Sequence, residues 1–184
     1  MKTKSIAMLS ILLSLASVGV AGATNANRAP EVPSTLQVPD GYKVSFNAYA
    51  IGVQIYMATA SPTDPTKLVW TFTAPEAVLL DSEGKVVGIH YAYAGPGRPG
   101  WESDSGSLVV GSRTVPPEPV NPNAIPWLVL DGIYSEGPGV FEGTAYIHRV
   151  NTTGGLAPST PPTRIGEVVR IPYTAEYYFY RAKK

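Results

Sequence analysis

Apolar and polar positions alternate with a period of two along most of the chain after residue 40. Tyr42, Val44, Phe46, Ala48 and Ala50 fall on one side of an extended segment, with Lys43, Ser45, Asn47 and Tyr49 on the other. That alternation marks a strand with one buried face. Gly52 interrupts, and Val53, Ile55 and Met57 resume against Gln54 and Tyr56, so the pattern predicts a bulge or bend at the glycine. After the turn-forming residues 61–67, Leu68, Trp70 and Phe72 alternate with Val69, Thr71 and Thr73, and Pro75 is expected to end the strand. The runs 77–80 and 86–91 flank Asp81-Ser82-Glu83-Gly84 and read as a hairpin, with Val87, Ile89 and Tyr91 on its apolar face and His90 opposite.

Further strands are predicted over 108–115, 125–134, 141–150, 168–171 and 173–180. Phe141, Gly143, Ala145 and Ile147 point inward in the third of these, and Tyr173, Ala175, Tyr177 and Phe179 share a face in the last. A Gly/Pro loop spans 93–100, a proline-dense connection spans 115–126, and 151–155 reads as a loop. No segment beyond residue 23 keeps a 3.6-residue period. The fold class that follows is all-β: a single antiparallel β-sandwich or partly closed β-barrel of about nine or ten short strands over residues 40–184. Residues 24–39, with Pro30, Pro33 and Pro39, read as a flexible lead-in.

The N-terminus has a different pattern. Lys2 and Lys4 precede an apolar run from Ile6 to Val20, closed by Ala21-Gly22-Ala23. A basic start, a short apolar stretch and a small-residue end predict a cleavable signal peptide over 1–23, hence an exported protein of the periplasm or the extracellular space with no stable membrane insertion after cleavage. The chain has no cysteine. Its single domain of about 160 residues must hold by packing alone, and thiol nucleophiles, thiolate zinc sites and iron–sulfur clusters are excluded. Without Lys2 and Lys4, 12 basic residues face 14 acidic ones, scattered along the chain. No basic stripe suited to nucleic acid is present.

Seven pieces of the chain carry a family resemblance. They are G-V-Q-I-Y (52–56), W-x-F-x-A-P-E-A (70–77), G-K-V-V-G-x-H-Y (84–91), G-W-E (100–102), N-A-I-P-W-L (123–128), Y-I-x-R-V-N-T-x-G-G (146–155) and I-P-Y-T-A-E-Y-Y-F-Y (171–180). In this order they resemble domain of unknown function 3455, a family of exported bacterial and fungal proteins, over about residues 38–180. The resemblance implies an exported, β-rich protein and no mechanism. The loop after His90-Tyr91 looks longer here than in the family, and the cysteines many members carry are missing.

Some members of that family bear the label malate dehydrogenase, and Gly95-Pro96-Gly97-Arg98-Pro99-Gly100 satisfies G-x-G-x-x-G as a string. The dinucleotide fingerprint needs a helix after the glycines, and here a tryptophan, a turn and a strand follow, while two prolines remove N–H donors. The string therefore does not predict a NAD-dependent dehydrogenase, and no cofactor is implied. Glu102, Asp104, Glu76 and Asp81 suggest a two-carboxylate hydrolase, but Asp81 and Asp104 sit in turns, where Asp bonds its own backbone. Ser105 beside Gly106 lacks a nucleophile elbow.

His90 and His148, the only histidines, are expected as half-exposed, hydrogen-bonded side chains on polar strand faces. With Glu102 they define the alternative reading, a hydrolytic or metal-dependent enzyme. Trp70 and Trp127 read as core, whereas Trp101, after the Gly/Pro loop, reads as the tryptophan placed to meet a ligand. The candidate ligand-binding set is His90, Tyr91, Trp101, Glu102, His148 and Asn151. The function expected is a non-catalytic ligand-binding or surface-interaction module for a carbohydrate or small amphiphile, its oligomeric state open.

Overall fold

The computed structural model describes residues 28–184. The signal peptide expected over 1–23 and the first residues of the lead-in lie outside the described residues. Eight strands follow in chain order: β1 (Tyr42–Ala60), β2 (Leu68–Leu80), β3 (Val86–Ala92), β4 (Pro99–Ser103), β5 (Leu108–Ser112), β6 (Leu128–Glu136), β7 (Tyr146–Gly154) and β8 (Val168–Ala182). Each pairs antiparallel with the next. β1 also pairs with β8, from Tyr42 opposite Ala182 to Met57 opposite Val168, so one sheet runs in a closed ring. The two stacked sheets of a sandwich are not formed. Among the described residues the helical content is one 3-10 turn, Ser34–Leu36.

The expected nine or ten strands become eight because three breaks do not occur, while β4 forms at the end of the expected Gly/Pro loop. β1 runs straight through Gly52, β2 passes Pro75, and β8 passes Pro172. The bulges lie elsewhere, at Val44/Phe46 against β8 and at Ile55/Tyr56 against β2. Gly52 serves close approach: a Cβ there would overlap the backbone of Glu76 and Ala77 on β2. Because β1 keeps its phase across Gly52, Gln54, Tyr56 and Ala58 continue the buried row of Ala48 and Ala50. Ile51 and Met57 face outward. The loop expected at 151–155 is largely strand, with a bulge between Val150 and Thr153. Phe141 lies in a turn before β7, outside the strand expected to contain it.

An eight-stranded ring leaves an interior just wide enough for side chains or one small ligand. Its filling is uneven. β8 sends in Tyr173, Tyr177 and Phe179, while β1 and β2 contribute Ala48, Ala50 and Ala77. Small residues facing large ones let the aromatics cross the interior. One end is plugged by Phe141, fully buried, with its ring centroid 5.6 Å from Phe46 and 4.6 Å from Phe179. A net of serine hydroxyls ties this end: Ser103 Oγ lies 2.8 Å from Ser107 Oγ and 2.9 Å from Ser105 Oγ, and Phe141 N–H donates to Ser107.

A second apolar cluster lies apart from this interior. The Val44/Phe46 bulge separates two residues expected on one face: Phe46 packs against the interior, and Val44 joins Val150, Tyr178 and Tyr180 in the second cluster, against which Val32, Val38 and Trp127 pack. The segment expected as a flexible lead-in is docked where it is described, since Leu36 is completely buried.

Gly52→Ala is expected to destabilise the fold by about 1–3 kcal/mol, the cost of forcing an added methyl into closed packing. Urea unfolding followed by circular dichroism measures it; an unchanged midpoint would show that the strands do not approach so closely.

Candidate functional site

The ring is open opposite the Phe141 plug. There a cavity of about 450 Å³ penetrates the interior. Its walls come from β1 (Gln54, Tyr56), β3 and β4 (His90, Trp101), β7 (Arg149) and β8 (Tyr177). Its rim comes from the glycines of the β3–β4 loop and from the β5–β6 connection, where Arg113, Ile125 and Pro126 border it. The expected Gly/Pro loop and the end of the expected proline-dense connection therefore border the same cavity.

His90 lies at the cavity wall and is only 2 % exposed, contrary to the half-exposed polar face expected for it. Strand β3 is inverted relative to its hydropathy: Ile89 is 46 % exposed, while Gly88 and His90 face in. The packing explains the inversion. The His90 ring stacks on Trp101 at 4.5 Å with a 10° interplanar angle, and Tyr177 lies 5.1 Å away. The flat imidazole thus lies between two aromatic rings. Nδ1 lies 2.8 Å from the Gly100 carbonyl. A carbonyl only accepts, so Nδ1 carries the proton and Nε2 holds a lone pair. Burial pushes the imidazole down to about 3, with the Arg149 charge acting in the same direction against the Gly100 bond.

Trp101 is 1 % exposed, the reverse of the loop-side tryptophan expected; Gly111 leaves room for its six-membered ring. Trp70 and Trp127, expected as core, are only half-buried, and Trp70 Nε1–H donates to the Thr160 carbonyl. Alternation places Trp70 and an apolar run places Trp127 in the core, and neither is there; Trp101 sits inside the ring because it pairs with His90 on one side and Val109 on the other, and it lines the cavity.

The remaining candidates do not join His90. Tyr91 and Glu102 alternate with His90 and Trp101 and pair with each other, Tyr91 O–H donating to Glu102 Oε2 at 3.0 Å. Burial first, then this bond, pushes the Tyr91 phenol up to about 12. His148 neighbours Ile147 and Arg149 but points the other way. Its Nε2–H donates to the Leu36 carbonyl at 2.7 Å, and Nδ1 accepts from Tyr180 O–H at 2.9 Å. His148 thus fastens the lead-in, fully buried rather than half-exposed. Asn151 is exposed and has φ 49°, a left-handed conformation that asparagine tolerates, beside the β7 bulge. His90, Glu102 and His148 do not converge, and among the described residues no three His, Asp or Glu side chains are grouped to hold a metal. Asp81 caps its own turn, accepting from the Glu83 and Lys85 amides.

Sequence reasoning missed Arg149, Gln54 and Tyr177 as site residues. Arg149 Nε–H and Nη2–H donate to the Pro126 carbonyl at 3.2 and 2.8 Å. Gln54 Nε2, Trp101 Nε1 and the hydroxyls of Tyr173 and Tyr177 are buried without a well-formed hydrogen bond among the described residues, while Gln54, Tyr173, Tyr177 and Arg149 lie close enough to act on one another. Burial raises the Tyr177 phenol, and Arg149 opposes that shift. The sequence held a signal for Arg149: it shares the parity of Ile147, which was expected to face inward.

A model of the family described as "Protein of unknown function (DUF3455)" matches residues 39–181. No curated protein matches the chain, and no solved structure matches it.

The depressed His90 pKa has a consequence for stability. Below about pH 6.5 the unfolded chain takes up a proton that the folded chain refuses until about pH 3. Stability is therefore complete above pH 6.5 and falls by about 1.4 kcal/mol per pH unit below it. His148, also lowered by burial, adds to the same trend. His90→Phe is expected to flatten the acid slope of the thermal midpoint between pH 6.5 and 4; an unchanged slope would contradict the assignment.

Proposed function

The chain belongs to the DUF3455 family of proteins of unknown function, and from its own geometry we propose that it is a non-catalytic binding module taking a small amphiphile into the open end of its ring. The observation that carries this reading is the cavity of about 450 Å³, lined largely by apolar and aromatic side chains, with buried polar groups nearby that lack a well-formed hydrogen bond among the described residues. Ligand pockets fall in the range of about 300–1,000 Å³ and combine apolar walls with a few convergent polar groups. Such groups cost about 1–3 kcal/mol each when left without a partner, and a ligand that supplies one recovers that cost.

An enclosed amphiphile suits these walls better than an extended oligosaccharide. A sugar platform needs an open aromatic face, and one face of Trp101 is already covered by His90. The alternative, a hydrolytic or metal-dependent enzyme built on His90, Glu102 and His148, draws no support from side chains pointing to separate surroundings. The leader-like pattern of residues 1–23 supports a site of action in the periplasm or outside the cell.

The neutral amphiphile N-phenyl-1-naphthylamine is the probe. Its fluorescence is expected to rise saturably with one site per chain, and ligand at about 100 times its Kd is expected to add about 2.7 kcal/mol of stability. Ala92→Trp, which fills the cavity beside β3, is expected to abolish binding while the circular dichroism spectrum stays unchanged. Equal binding by that variant, or no saturable binding by the native protein, would reject the reading.

A further inference from the structure

We infer that the cavity selects an anionic amphiphile, a small molecule with an aromatic or aliphatic body and one carboxylate, which Arg149 anchors at the open end of the ring. This rests on the binding reading above and adds the charge and orientation of the ligand.

The argument starts from what the walls hold. No aspartate or glutamate borders the cavity, whereas Arg149 stands in its wall and Arg113 at its rim. Arg149 is half-buried, and among the described residues it has no carboxylate partner: the ion pairs there are Arg28–Glu31, Lys67–Asp64 and Arg170–Glu76. A guanidinium has five N–H donors in a rigid fork and cannot discharge itself by losing a proton. Two of the five reach one neutral acceptor, the Pro126 carbonyl. That bond fixes the plane of the guanidinium and leaves its charge uncompensated.

The uncharged groups point the same way. Gln54 and Trp101, both wall residues at most 2 % exposed, each carry a buried N–H that finds no acceptor among the described residues. The Tyr177 hydroxyl, on the register partner of Arg149 across β7 and β8, lies near both Arg149 and the Tyr173 hydroxyl without a well-formed hydrogen bond to either. Tyr56 has its hydroxyl committed to the Gly155 carbonyl and so contributes only its ring. The described side chains of the wall thus set the charged Arg149 fork and the Gln54 and Trp101 N–H groups against neutral acceptors, His90 Nε2 and the Gln54 amide oxygen, with no anion among them. A carboxylate, which only accepts and takes up to about four hydrogen bonds, is the complementary group. Phe72, Ile125, Leu128 and Leu130 supply apolar surface for the rest of such a molecule. A phosphate or sulfate without an apolar body would meet the charge and leave that surface unfilled.

The test is a matched pair of ligands of nearly equal size, 2-naphthoate and 2-naphthamide, titrated calorimetrically into the protein at pH 7. The acid is expected to bind at least about 10-fold more tightly than the amide, the lower end of what a hydrogen bond to a charged group contributes. Arg149→Met is expected to weaken the acid by roughly 10- to 100-fold and to leave the amide within about 3-fold, since the methionine keeps the apolar stem. Arg149→Lys, which keeps the charge and loses the fork, is expected to fall between the two. If Arg149→Met does not fold, the native comparison of acid with amide decides alone. Equal affinities for acid and amide, or equal losses of both in Arg149→Met, would overturn the inference while leaving the binding reading in place. Binding of neither molecule, together with no binding of inorganic phosphate, would overturn both.

Discussion

Everything in this structure depends on the pairing of the first strand with the last. β1 and β8 run antiparallel from Tyr42–Ala182 to Met57–Val168, and this seam turns a meander of eight strands into a ring. Closure removes the free edges that would otherwise present unpaired N–H and C=O groups. It also fixes the width of the interior. β8 then decides what that interior contains, because it alternates Tyr173, Ala175, Tyr177 and Phe179 inward with Tyr178 and Tyr180 in the second cluster. A cysteine-free domain is held by this aromatic strand lying between β1 and β7, with Phe141 closing one end.

The same geometry accounts for polar residues in the wall. Near the plug, Phe46, Phe141 and Phe179 meet in direct contact. Toward the other end the ring is lined by Gln54, His90, Arg149 and Tyr177, and the packing is incomplete. Burying such groups without partners opposes folding, and the acid sensitivity expected from a neutral, buried His90 is one expression of that cost. On the proposed binding reading, the side chains that weaken the ring are those that a ligand would satisfy.

The all-β class and the hairpin around Asp81–Gly84 were legible in the sequence, because period-two alternation and turn chemistry are local. Closure was not, since no local pattern states that Tyr42 will meet Ala182. The misread positions share one cause. Gly52, Pro75 and Pro172 look like breaks but are carried by neighbouring strands. The register shifts, at Val44/Phe46 against β8 and at Ile55/Tyr56 against β2, come from bulges that hydropathy does not mark. His90 was found as a candidate but placed on the wrong face; its partners Trp101 and Tyr177 come from distant strands, and only the ring brings them to it. Glu102, His148 and Asn151 carried suggestive chemistry and turned out to bond Tyr91, to fasten Leu36 and to occupy a bulge. Arg149 could have been found by asking why an arginine shares the parity of Ile147.

The three tryptophans give the most direct measurement of the central claim, that the ring's interior is where a ligand goes. Trp101 lies in the cavity wall, Trp70 is tied to the Thr160 carbonyl, and Trp127 packs against the second cluster. In a proton–nitrogen correlation spectrum each contributes one indole N–H signal. On addition of 2-naphthoate the Trp101 signal is predicted to move saturably while those of Trp70 and Trp127 stay in place. Movement of either of those two with Trp101 unmoved would place binding on the outside and contradict the account.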